Sequence, residues 1–341
     1  MRIERVVLLV VLAAAAAVPV GCVRAPVEDV PSSDPGALLD LERVRIPNEL
    51  PDPETDPWPL SIGAVWRFRD ATADHRPTYH PGEGGTVEVV ATVASAQGEE
   101  LYVVRSSYSD GVEEVAYLHR ESSRLLIHGS HTDRSVVIAD PPGTRLWTPF
   151  SAGLSWVEEA GSWTRSWEVL YQESLIFHGG SYPGAWKLEL RDASTGDTEL
   201  RWFAEGVGPV KVSRQSLTFE LVERNLDSGR NAHVIGVENH GEDVVLREGD
   251  LLIVLLPAYA GTQYDWHNAA DVDPEVLLPV DPGTFYADLA PADPVSGSYV
   301  ASWQAVAPTP IDRPAAVEWV YLGPGKDEPR YRLSAWVTVT R

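Results

Sequence analysis

The chain has 341 residues, with 27 Lys and Arg against 50 Asp and Glu, a formal charge of −23 at pH 7. That acidity excludes nucleic acid as a partner, because binding it needs a basic stripe to neutralise phosphates, and it excludes charge-driven adsorption on an anionic bilayer. A single Cys excludes a disulfide framework and a Cys-built zinc cage, while 27 Pro, 27 Gly and 12 Trp against 6 Phe favour turns and short strands over long helices.

In chain order, Arg2 and Arg5 form a basic start, and the run from Val6 to Val20 is apolar and fifteen residues long. A spanning helix needs about twenty residues, so this length suits the h-region of a secretory signal. The end of the segment, Ala17-Val18-Pro19-Val20-Gly21-Cys22, resembles the lipobox of bacterial lipoproteins, in which a small residue precedes the Cys that is acylated. Residues 1–21 are then a signal peptide, and the resemblance implies lipid attachment (diacylglyceryl plus an N-acyl chain such as palmitate) at Cys22. The bilayer is the first expected partner. Val23 after the Cys, where retained lipoproteins carry Asp, implies the outer membrane. Two or more acyl chains hold a protein stably where one does not.

Residues 22–58 follow as a tether. Between Arg24 and Pro59 there are eight Pro and nine acids against three Arg. Such a segment buries too little apolar surface to offset its ordering entropy. Extended by Pro and like charge, it reaches about 100 Å at most.

Residues 59–224 read as an antiparallel sheet or half-barrel with ten candidate strands between Ile62 and Val222. Asp110-Gly111 and Ser194-Thr195-Gly196-Asp197 mark hairpins. In Trp186-Lys187-Leu188-Glu189-Leu190-Arg191, charge alternates with apolar residues, the period of a strand with one buried face. The opening phrase Pro59-Leu60-Ser61-Ile62-Gly63-Ala64-Val65-Trp66, the middle phrase Gly153-Leu154-Ser155-Trp156 and the closing phrase Trp202-Phe203-Ala204-Glu205-Gly206-Val207-Gly208-Pro209-Val210-Lys211 together resemble a family of secreted and lipid-anchored bacterial β domains of unknown function. The resemblance implies a fold and a compartment but no chemistry. Gly206 and Gly208, flanking Val207, predict a tight or bulged turn.

Residues 231–341 carry six further candidate strands, the pattern of an immunoglobulin-like β-sandwich able to fold by itself. Asn225–Asn231 is the expected link. In the last strand Leu333, Ala335, Val337 and Val339 alternate with Arg332, Ser334, Trp336 and Thr338. The run from Gly249 to Pro257, the loop Tyr259-Ala260-Gly261-Thr262-Gln263-Tyr264-Asp265-Trp266 and the segment Ser296-Gly297-Ser298-Tyr299 resemble chagasin-type inhibitors of papain-like cysteine proteases. That family carries an Asn-Pro-Thr-Thr-Gly-Tyr-x-Trp loop, a Gly-rich loop and an Arg-Pro-Trp loop. Here Thr262, Tyr264 and Trp266 are kept, Gln263 stands at the loop's Gly, and Gly323-Pro324-Gly325 follows the strand that should lead into Arg-Pro-Trp. The resemblance implies that Gly261, Thr262, Gln263, Tyr264, Gly297 and Ser298 face a papain-like protease or another envelope protein.

Motifs for catalysis are missing from the sequence. It contains no Gly-x-Ser-x-Gly, His-Glu-x-x-His or phosphate-binding Gly-x-x-x-x-Gly-Lys, and neither a cofactor nor a metal is expected. His128-Gly129-Ser130-His131-Thr132-Asp133 is the best local donor set, but at a polar hairpin tip it reads more simply as turn residues. The pairs Glu113-Glu114 and Glu158-Glu159 read as outward charge that protects strand edges. The Trp set 66, 156, 163, 167, 186 and 202 reads as core packing, with a lipid or glycan cleft as the sharper alternative. The expected function is a non-enzymatic, envelope-anchored binding protein; a carrier of an apolar ligand in the N-terminal module is the alternative.

Overall fold

The computed structural model describes residues 56–72 and 84–341, apart from 96, 112, 133–134, 161–162, 178, 226–229, 261–263, 290–294, 311–312 and 326–328. The signal segment, Cys22 and most of the tether lie outside the described residues. Among those described the fold is all β, with no α-helix.

The first module is one sheet of twelve strands: β1 (Val65–Asp70), β2 (Gly85–Ala94), β3 (Glu100–Tyr108), β4 (Glu113–Arg120), β5 (Arg124–Thr132), β6 (Ser135–Trp147), β7 (Ser155–Ala160), β8 (Trp163–Phe177), β9 (Gly180–Asp192), β10 (Thr198–Ala204), β11 (Gly208–Arg214) and β12 (Leu217–Arg224). Sequential strands are paired neighbours except β6 and β7, which are the two ends of the sheet, and β12 returns beside β1. Right-handed twist rolls the sheet until these edges meet. At the seam Trp156 Nε1 donates to the Thr144 carbonyl at 3.0 Å, and Gly143 lies so close that an added Cβ would stand 2.5 Å from the Glu159 carbonyl oxygen. The half-barrel expected from sequence is therefore drawn nearly closed.

Its interior is filled by side chains such as Trp66, Phe68, Trp167, Phe203 and Phe219, each less than 2 % exposed. The opening and closing phrases meet there. Trp66 Nε1 donates to the Val207 carbonyl at 2.6 Å, and Arg224 Nη1 donates to the Gly206 carbonyl. Gly208 has φ +102°, and a Cβ on it would come within 2.9 Å of Trp66 Nε1. Only glycine suits both conditions. The phrases form a packing clasp that joins β1 to the β10–β11 turn.

The second module stacks two four-stranded sheets. One has the order β13 (Ala232–Ile235), β15 (Leu251–Ala260), β18 (Val295–Ala305), β17 (Leu277–Ala287). The other runs β14 (Glu242–Arg247), β20 (Tyr331–Thr340), β19 (Ala315–Leu322), β16 (Asp265–Asn268). The pairs β13–β15 and β14–β20 are parallel, the rest antiparallel. In β20 the predicted alternation holds: Leu333, Ala335, Val337 and Val339 are buried, and Trp336 is 47 % exposed.

β15 is apolar on both faces. Leu252, Val254 and Leu256 enter the sandwich core, whereas Ile253 and Leu255 join Val300 and Tyr286 in a third core with Val90, Val93, Leu101 and Val103 of the barrel's outer face. A strand buried on both sides needs such a continuous apolar run. Each large aliphatic side chain buried there contributes about 1.5–3 kcal/mol. Hydrogen bonds reinforce the contact: Ser298 Oγ donates to the Thr92 carbonyl at 2.8 Å, the Ala94 amide to Asp288 at 2.8 Å, and the Leu289 amide to the Ala94 carbonyl at 3.1 Å. The expectation of a self-sufficient sandwich is revised accordingly, because one face of its β15–β18 sheet is core.

Candidate functional site

Three connections leave the sandwich at one end. The registers Ala260↔Val295, Ala287↔Gly297, Asp265↔Leu322 and Tyr321↔Tyr331 place there the β15–β16, β17–β18 and β19–β20 links. Beneath them lies an aromatic stack. Tyr264 stacks on Tyr321 at 5.6 Å, Tyr321 contacts Trp266 at 5.0 Å and Tyr331 at 6.1 Å, and the Arg330 guanidinium sits 5.9 Å from the Tyr264 ring. Trp266 is a core residue, 2 % exposed, whose Nε1 donates to the Pro257 carbonyl of the facing sheet at 2.7 Å.

Of the residues expected to face a protease, Tyr264 is part of this end, while Gly261, Thr262 and Gln263 lie outside the described residues. Gly297 and Ser298 are placed differently. Both are buried inside β18, Ser298 bonded to Thr92 and Gly297 so close to β17 that a Cβ would lie 2.2 Å from the Tyr286 carbonyl oxygen. The Ser-Gly-Ser composition suggests a loop, but the small residues here serve close packing, Gly297 against β17 of its own sheet and Ser298 against the barrel.

The barrel interior leaves little room for an apolar ligand. The enclosed space beside Trp58, Tyr108, Glu114, Arg145, Arg201 and Arg214 amounts to about 30 Å3, enough for a water or two. Around it runs a buried ionic network. Arg145 Nη2 donates to Glu114 at 3.0 Å and its Nη1 lies 3.6 Å from Glu158. Trp167 Nε1 donates to Glu158 at 2.8 Å, while the Arg214–Asp110 pair, at 2.8 Å, lies nearer the surface. Glu114 and Glu158 thus point inward, a correction to the edge-protection reading. Strand alternation sends one member of each acidic pair inside, where arginines compensate it. Burial alone would raise the Glu114 pKa, but Arg145, Arg165 and Arg201 hold it down to about 2. Burial pushes the Tyr108 hydroxyl up to about 12.

His128 does not act as part of an open turn. It is 5 % exposed, its ring 5.9 Å from that of His119 and its Nε2 3.7 Å from Glu99, and burial lowers its pKa. Among the described residues no three His, Cys, Asp or Glu side chains cluster as metal ligands; Asp133 lies outside them.

Sequence reasoning missed a cleft between the modules. Its inner part, about 90 Å3, has a floor of Val65, Val90, Leu251, Ile253 and Val300. It opens into a wider part of about 490 Å3 that shares Arg67, Glu88, Arg105 and Val280. Arg105 bonds Glu88 at 2.7 Å and Tyr286 Oη at 3.4 Å, with Asp281 at 3.9 Å. Burial works against the Arg105 charge, but Glu88, Tyr286 and Asp281 together outweigh it, so its pKa is raised. The strand from Thr86 to Val93 carries the one sequence signal of this place: a charged residue, Glu88, beside a run too apolar for a single buried face.

No protein-family model matches the chain, and no curated protein matches it. Among solved structures the chain is similar to the cysteine protease inhibitor EhICP2 from Entamoeba histolytica, at 15 % identity and a TM-score of 0.28, over 33 % of this chain and 97 % of that one. It is also similar to the solution structure of amebosin, at 17 % identity and a TM-score of 0.25, over 33 % of this chain and 98 % of that one.

Proposed function

We propose that this protein is a non-catalytic, lipid-anchored binding protein of the bacterial outer membrane that engages a protein partner through the loop end of its sandwich. The convergence of three connections at the end where half-buried Tyr264, Arg330 and Tyr331 pack around the buried Tyr321 carries this reading. Tyr and Arg side chains are enriched among interface anchors. The side chains that fill the barrel interior, Trp66, Trp167, Phe203 and Phe219 among them, count against the carrier alternative.

A papain-like protease is the partner class that the loop sequence suggests. Gln263 in place of Gly makes a positive φ costly in the first loop, and a lost Arg-Pro-Trp anchor costs about 2 kcal/mol, roughly thirtyfold in affinity. Titration of such a protease is therefore expected to give competitive inhibition weaker than about 1 µM, reduced further by Thr262→Trp. Absence of inhibition at millimolar protein, or inhibition that Thr262→Trp leaves unchanged, contradicts the reading.

A further inference from the structure

Charge imbalances of opposite sign lie side by side along the inter-module cleft. Arg67 and Arg230 share one carboxylate, Glu223, at 3.3 and 3.0 Å, and their side chains stay 32 % and 41 % exposed. Both guanidiniums line the inner cleft. Beside them two carboxylates, Glu88 of the neighbouring barrel strand and Asp281 of the sandwich, share the single guanidinium of Arg105, at 2.6 and 3.9 Å. Two arginines on one acid leave a positive pole; two acids on one arginine leave a negative pole. Between and below them lies an apolar floor made by Val65, Val90, Ile253 and Val300.

The strand register sets the backbone spacing beneath the poles. Arg67 pairs with Thr86 and Val65 with Glu88, so Arg67 and Glu88 are diagonal neighbours, about 7–8 Å apart on the sheet. An extended dipeptide spans about 7 Å from its ammonium to its carboxylate. A wider part of about 490 Å3 leaves room for side chains, and clefts at module interfaces with an apolar floor and a few convergent polar groups are the usual form of a ligand site.

We propose that this cleft binds a short zwitterionic peptide, its carboxylate at Arg67 and Arg230, its ammonium at Glu88 and Asp281, and an apolar side chain over the valine floor. The site is separate from the loop end and stands or falls independently of partner binding there. Isothermal titration of the full chain with leucyl-leucine, its N-acetyl form and its C-terminal amide tests the proposal. Leucyl-leucine is expected to bind at micromolar to millimolar concentrations, and either blocked end weakens binding about tenfold or more, the loss typical of one charge-assisted contact. Arg67→Gln, at a partly exposed position whose thermal melt checks folding, produces the same loss for the free dipeptide and little further loss for the amide. No heat of binding at 10 mM dipeptide overturns the proposal, as does binding that neither the blocked ends nor Arg67→Gln weakens.

Discussion

Glu114 and Arg145 sit where a charge is costly and are kept because each meets the other. Arg145 is 3 % exposed in its side chain and Glu114 22 %. Breaking such a pair from one side leaves an uncompensated buried charge. The Glu114 carboxyl is ordinary, near 4.5, in the unfolded chain and held at about 2 in the fold. A lowered folded pKa contributes stability that is fully present above the unfolded value and disappears as pH falls through the folded one. Urea midpoints are therefore expected to hold down to about pH 5 and to fall between about pH 5 and 2, with a contribution from Glu114 of about 3 kcal/mol at most. Glu114→Gln is expected to be less stable at neutral pH and to show a shallower acid decline. Identical acid profiles for the two proteins would remove this carboxylate from the account. Trp66 and Gly208 show the same economy in apolar form, one indole bond and one positive φ fixing two distant phrases together.

At the scale of strands, the sequence is legible wherever one face is wet. The alternations of Trp186 to Arg191 and of Leu333 to Val339 place Leu188, Leu190 and the β20 apolar set in cores. The run from Val210 to Val222, which reads as one strand, is β11 and β12, divided at Gln215, whose φ of 51° makes the turn without glycine. β7, with sequence Ser-Trp-Val-Glu-Glu-Ala, is hidden by its two acids, one of which is buried against Arg145. β14 and β16 are short and polar and are held by their neighbours β20 and β19 rather than by their own pattern. β6 runs on through Pro141 and Pro142, which read as a stop, because it is the terminal strand of the sheet and an edge tolerates residues without an amide proton. The inter-module cleft was illegible for a different reason. Its charges come from strands in both modules, and only the docking of β15–β18 on β2–β3 brings them together.

At the scale of the molecule, anchoring and recognition are proposed to fall to different ends of the chain. An acidic protein of formal charge −23 gains nothing from anionic lipid, so acyl chains on Cys22 are proposed to supply the whole of its membrane affinity. Cys22→Ala is expected to release the protein from outer-membrane vesicles into the high-salt wash; retention of the variant would contradict lipid anchoring. Beyond the tether, the barrel and the sandwich share the core formed by Ile253, Leu255, Val90 and Leu101, and the loop end is held on that joint body rather than on a swinging module. Hydrogen exchange of the full chain in increasing urea tests this most directly. The account predicts that amides of β2 and β3 and those of β15 and β18 reach the same opening free energy and respond to urea with the same slope, the mark of one global unfolding. Exchange of β15 and β18 through a separate opening of lower free energy and smaller slope, with β2 and β3 still protected, would contradict it.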